Sequence, residues 1–159
     1  MSVSASSKHS YSVILPVFNE EETIPVLYKR LHAVFKDFTE SYELLFINDG
    51  SSDGSARLLS ELHKKDKRVK LINFSRNFGH QMAVTAGLQY ASGSIMIILD
   101  ADLQDPPEVL PQFIAKIKEG YDVVYAIRTK RKESWVKRLA YYAFYRLLAR
   151  VSSIDIPLD

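Results

Sequence analysis

Five continuous apolar, β-rich runs limit how this 159-residue chain can fold: 12–18, 42–48, 69–74, 94–99 and 122–127. None alternates cleanly between apolar and polar residues, so each reads as a strand buried on both faces. Helical patterns separate them over about 23–36, 53–65, 79–91 and 106–119, and a further one covers about 134–151. This alternation predicts an α/β fold on a doubly wound, mainly parallel, Rossmann-like sheet. The length suits one domain with a single core. No apolar run approaches the roughly 20 residues that span a bilayer.

Residues 1–10 are mostly Ser and lack an apolar signal-peptide core, so they read as a flexible tail. The core is expected over 11–128, with 129–159 holding a basic amphipathic helix and the start of a further region. The chain has no Cys, which removes disulfides and thiolate metal sites.

Several polar residues have a local explanation. Asp105, ahead of Pro106, Pro107 and Glu108, reads as a helix N-cap with a capping-box partner. Thr23 reads as the cap of the helix that carries Pro25 in its first turn, and Asp53 as the cap of the next. The run 63–68 reads as a solvated helix end whose cations suit the helix C-terminus.

What remains clusters at strand ends. Run 94–99 is followed at once by Asp100, Ala101, Asp102, Leu103 and Gln104. Two carboxylates one residue apart at a sheet edge call for positive charge, and hard cations such as Mg²⁺ bridge carboxylates to substrate phosphates. Glu20 follows the first strand, Asp49 the second and Arg128 the fifth. If the strands are parallel, all of these share the carboxyl edge where open α/β sheets bind ligands. Asp102 reads as the principal metal ligand, with Gln104 as a neutral oxygen ligand and Asp100 on the metal or on a ribose. Asp49 is placed to accept hydrogen bonds from a base or sugar hydroxyl, and Arg128 to pair with phosphate. His80 either touches a bound phosphorylated ligand or faces solvent at a helix start. The chain has neither GxGxxG nor GxxxxGK[ST], which argues against nicotinamide dehydrogenases and P-loop NTPases.

Four ordered segments carry a resemblance: Pro16–Glu21 (PVFNEE), Ile47–Gly54 (INDGSSDG), Ser75–Gly79 (SRNFG) and Asp100–Glu108 (DADLQDPPE). Together they resemble family 2 glycosyltransferases, and more narrowly the polyprenyl-phosphate branch that includes dolichol-phosphate mannose synthases and undecaprenyl-phosphate sugar transferases. The resemblance covers about residues 11–159. It implies a GT-A fold, a UDP- or GDP-sugar donor, Mg²⁺ or Mn²⁺ as cofactor and inversion at the anomeric carbon. It further implies that Pro16, Phe18, Glu20, Ile47, Asp49 and Ala101 bind the nucleotide and that Asp100, Asp102 and Gln104 hold the metal. Asp100, Asp102 and Arg128 are the implied catalytic set, with Arg128 on a phosphate. Members of that family often carry Tyr at Phe18 and Asp at Asn48. Full-length relatives continue into more acceptor-side structure and commonly into transmembrane helices, so the chain reads as truncated at its C-terminus.

Charge adds a partner. Residues 128–150 hold eight basic side chains and one acid, Glu133, whereas residues 1–127 carry a net charge of −3. Val136, Leu139, Ala140, Ala143, Leu147 and Val151 form an apolar stripe among Trp135, three tyrosines and the cations. This suits an interfacial helix on an anionic membrane, at the cytoplasmic face where a lipid-phosphate acceptor would lie. The competing reading packs the stripe on the sheet. Nucleic acid fits less well with the acidic remainder. A truncated apolar surface could also pair two copies. Two further outcomes stay open: a non-catalytic membrane-surface adaptor, and a fragment that binds donor without transferring sugar.

Overall fold

The computed structural model describes residues 10–127. In chain order the elements are β1 (Tyr11–Val17), α1 (Ile24–Phe35), β2 (Tyr42–Asn48), α2 (Ser55–Lys65), β3 (Val69–Asn73), α3 (His80–Tyr90), β4 (Ile95–Ile98), a 3₁₀ turn (Pro107–Val109) and α4 (Leu110–Lys118). The strands lie in the order β3-β2-β1-β4, every neighbouring pair parallel. The doubly wound parallel sheet expected from the sequence is therefore present.

Burial explains the layering. Every residue of β1 is buried. Tyr11, Val13, Leu15 and Val17 face one core with Leu59 of α2 and with Leu110 and Ile114 at α4. Helix α1 joins it through Ile24, Leu27, Leu31 and Phe35, whose spacing forms one apolar stripe. Burying each such side chain stabilises by about 1.5–3 kcal/mol. On the other face Ile14 meets Leu45, Ile47 and Ala83 of α3. Gly87 lets α3 lie close there, because a Cβ would collide with Ile14 and Ile47.

The edges depart from the sequence reading. Among the described residues run 94–99 forms only a four-residue strand at the sheet edge, and Met96 and Ile98 are exposed where burial on both faces was expected. Helix α3 packs over β1 and β2, not over β4. Run 122–127 is not a strand: residues 123–127, which fall in a second unit, have irregular backbone.

Three capping readings change. Thr23 holds the N-cap position of α1 as expected, but its Oγ1 bonds the Glu20 carbonyl (3.1 Å) and Glu20 Oε2 (2.7 Å), not a helix N–H. Asp53 precedes the N-cap residue Gly54, and its Oδ1 accepts the Ser55 N–H at 2.9 Å. The 3₁₀ turn is capped from Pro106 and not Asp105, and Glu108 takes a two-pronged bond from Arg30 of α1, at 2.8 and 2.5 Å. Nor is the run 63–68 merely solvated. Asp66 accepts from Arg68 and from the Tyr28 hydroxyl, and the Arg68 bonds hold its carboxyl down at about 2. The expectations for residues 1–9, for Arg128 and for the basic helix over 134–151 lie outside the described residues. Among those described, no helix is long and apolar enough to cross a membrane.

Candidate functional site

The order in which strands are added to the sheet reverses at β1. The connection through α1 leads to β2 on one side, and the connection through α3 returns the chain to β4 on the other. A crevice opens beyond the carboxyl ends of two strands whose connections diverge in this way. Pro16 helps keep it open. The Leu99 N–H donates to the Ile14 carbonyl, and β4 pairs no further along β1 than Ile14. Pro16, two residues on, points its backbone to the same side, so its missing N–H falls where β4 has ended.

An open cleft of about 270 Å³ occupies this position. Pro16, Val17, Phe18 and Glu20 line it from β1 and the following loop, and Asp49 from the end of β2. Asn77, His80 and Ala83 line it from the start of α3, and Asp100, Ala101 and Asp102 from the end of β4. Four carboxylates thus share one small cleft.

Their surroundings differ. Asp49 is only 3% exposed, and its two oxygens accept the backbone N–H groups of Phe78 (2.7 Å) and Gly79 (2.9 Å). Gly50, at φ +68°, lets the loops approach, since a Cβ would run into the backbone of Arg76 and Asn77. Asn48, the residue preceding Asp49, is equally tied: its Nδ2 donates to Asn73 Oδ1 and its Oδ1 accepts the Ser51 N–H. An amide at Asn48 suits these two bonds because it donates and accepts at once, as a carboxylate does not.

On the β1 side, Asn19 takes the left-handed region at φ +57°, which Asn tolerates. Its Oδ1 accepts the Ser52 N–H at 2.8 Å, and the Glu20 N–H donates to Ser55 Oγ at 2.9 Å. The loops after β1 and β2 are therefore stitched into one wall. Phe18 is left 46% exposed at the cleft, an apolar surface on which a flat ligand group can pack.

After β4, Asp102 Oδ1 accepts the Gln104 N–H at 3.0 Å across a turn in which Leu103 is at φ +62°. This local bond fixes the Asp102 carboxylate. Asp100 is half exposed and has His80 Nε2 3.7 Å from its Oδ1. Among the described residues no three acidic or histidine groups converge to hold a metal ion. Two adjacent carboxylates with open space beside them still fit Mg²⁺ or Mn²⁺, because such ions keep waters and take substrate phosphates as further ligands.

The wall thus brings together Pro16, Phe18, Glu20, Asp49, Asp100, Ala101 and Asp102. Two anticipated residues lie elsewhere. Ile47 is wholly buried beneath α3. Gln104 does not line the cleft, and its backbone N–H serves Asp102. Asn77 and Ala83 line the cleft but were not singled out as site residues. The SRNFG segment pointed toward Asn77, whereas Ala83 depends on how closely α3 approaches the sheet.

The family model for glycosyl transferase family 2 matches residues 12–155. Over 155 residues the chain is 54% identical to the uncharacterized glycosyltransferase YkcC of Bacillus subtilis (strain 168), covering 96% of this chain and 48% of that protein. It is 41% identical over 147 residues to the uncharacterized glycosyltransferase sll0501 of Synechocystis sp. (strain ATCC 27184 / PCC 6803 / Kazusa), covering 92% and 46%. The chain therefore spans about half the length of these curated relatives. In fold it is similar to residues 1–349 of S. aureus TarS, with a TM-score of 0.59 at 24% identity, over 78% of this chain and 40% of TarS. The same TarS segment in complex with UDP-GlcNAc gives 0.59 at 24% identity, over 78% and 38%. With the matched region spanning nearly all of its sequence, the chain belongs to glycosyl transferase family 2.

Proposed function

We propose that the cleft binds a nucleotide-sugar in a divalent-metal-dependent, inverting glycosyltransferase, with a polyprenyl phosphate or related acceptor at the cytoplasmic face of a membrane. The observation that carries this is the pair Asp100 and Asp102, set across a switch-point crevice from the buried carboxylate of Asp49. The fold is shared with TarS, which has been solved with UDP and with UDP-GlcNAc.

In this reading Phe18 packs against the base, and Asp49 uses lone pairs left over from Phe78 and Gly79 to accept a base N–H. Asp100 and Asp102 would hold Mg²⁺ or Mn²⁺, which supplies charge neutralisation for a departing diphosphate. Asn77 and His80 border the same space. An acceptor phosphate oxygen is already anionic near neutral pH, so this chemistry needs no general base. Arg128 would add a phosphate contact, and the basic region 128–150 would meet anionic lipid.

Calorimetric titration of UDP and of GDP, with Mn²⁺ or with EDTA, tests the donor site. Mn²⁺-dependent binding of one nucleotide, abolished by Asp102→Ala, is expected. A folded protein that binds neither would remove the donor site and leave the non-catalytic membrane-surface adaptor as the better account.

A further inference from the structure

His80 is the one side chain among the described residues that reaches toward the Asp100 carboxylate, and it does so from a well-anchored helix. Gly87 seats α3 close against Ile14 and Ile47, Ala83 is buried one turn beyond His80, and Asp49 binds the two N–H groups just ahead of it. The two aspartates differ in how they are held. Asp102 is oriented by its own bond to the Gln104 N–H. Asp100 is half exposed, and Nε2 of His80 stands 3.7 Å from its Oδ1. That separation lies just outside hydrogen-bond range, and such bonds commonly tighten only when a site is filled.

From this arrangement we infer that His80 is a positioning residue for the metal-binding carboxylate. Its Nε2–H donates to one oxygen of Asp100 and turns the other toward the cation. The inference rests on the donor-site reading above. Histidine as a third ligand is a poorer fit, because His80, Asp100 and Asp102 do not converge as a ligand set. Groups that orient a metal ligand from outside the coordination sphere typically contribute 10–100-fold to metal affinity. Without His80, cation binding would have to immobilise an exposed carboxylate, at a cost in side-chain entropy.

The test is Mn²⁺ affinity of the full chain, followed by electron paramagnetic resonance of free Mn²⁺, alone and with saturating UDP or GDP. His80→Ala should weaken Mn²⁺ binding by about tenfold. His80→Gln places an amide N–H close to the position of Nε2 and should restore most of the loss. In a double-mutant cycle the effect of His80→Ala should vanish once Asp100 is Ala. Wild-type affinity in His80→Ala would overturn the inference. So would a loss that His80→Gln does not rescue, or one that persists unchanged in the Asp100→Ala background. If the wild-type chain binds no Mn²⁺, the donor-site reading falls and takes this inference with it. Mn²⁺ binding lost in Asp102→Ala but untouched in His80→Ala would sink the inference alone.

Discussion

The carboxylate of Asp49 serves a loop as well as a cleft, and this changes what its removal should do. In Asp49→Ala the N–H groups of Phe78 and Gly79 lose their acceptors in a part-buried setting. Each unsatisfied donor costs about 1–3 kcal/mol. Urea denaturation should therefore show a loss of about 2 kcal/mol or more, together with loss of nucleotide binding. An unchanged denaturation midpoint would mean that the loop finds other partners. Asp49, Asp100 and Asp102 were legible in the sequence because each follows an apolar run directly, so strand direction alone delivers it to the rim. The structural half of Asp49's role was not legible. Its partners lie 29 and 30 residues further on, in a loop whose path depends on the missing Cβ of Gly50. Ile47 shows the opposite case: within a strand, alternate residues face opposite sides, and its side belongs to α3.

At the scale of single elements, α3 and the α2–β3 connection give the sharpest tests. Exchanging Gly for Ala inside a helix ordinarily stabilises by about 0.5–1 kcal/mol. At Gly87 the added methyl meets Ile14 and Ile47, both fully buried, and overpacking costs about 1–3 kcal/mol. The second effect should win, so Gly87→Ala should lower the melting temperature; a rise would show that α3 can move off the sheet. Asp66 links α1, through Tyr28, to the start of β3, through Arg68. Its carboxyl is held at about 2 in the fold, against about 3.9 when unfolded. The depressed value means that its stabilisation is complete above about pH 4 and is lost as the pH falls through about 2. Asp66→Asn should lower stability by about 2 kcal/mol at neutral pH and flatten the pH dependence below pH 4. A wild-type slope in the variant would assign the acid sensitivity elsewhere. Element type was readable for β1 to β4 and α1 to α4 because apolar periodicity follows burial. Caps were less readable: Thr23 and Glu108 had better partners in space, Glu20 and Arg30, than the helix starts offered in sequence.

For the whole molecule, the order of strands matters more than any one of them. Placing β4 beside β1 brings Asp100 and Asp102 to the same crevice as Pro16, Phe18 and Asp49, although more than 80 residues separate the two ends of that set. The sequence supplied the alternation from which a doubly wound sheet follows, but not the position at which the winding reverses. Nor did it reveal that residues 123–127 take irregular backbone in place of the strand expected there. The claim that unites these scales is that the crevice is a divalent-cation and nucleotide site. Its most direct test is anomalous diffraction at the manganese edge, from crystals of the chain grown with Mn²⁺ and whichever of UDP or GDP binds in solution. A manganese peak beside Asp100 and Asp102, bridged to diphosphate density, is expected, with the base against Phe18 and Asp49. A fully occupied nucleotide lying elsewhere, or manganese bound away from both aspartates, would contradict this claim.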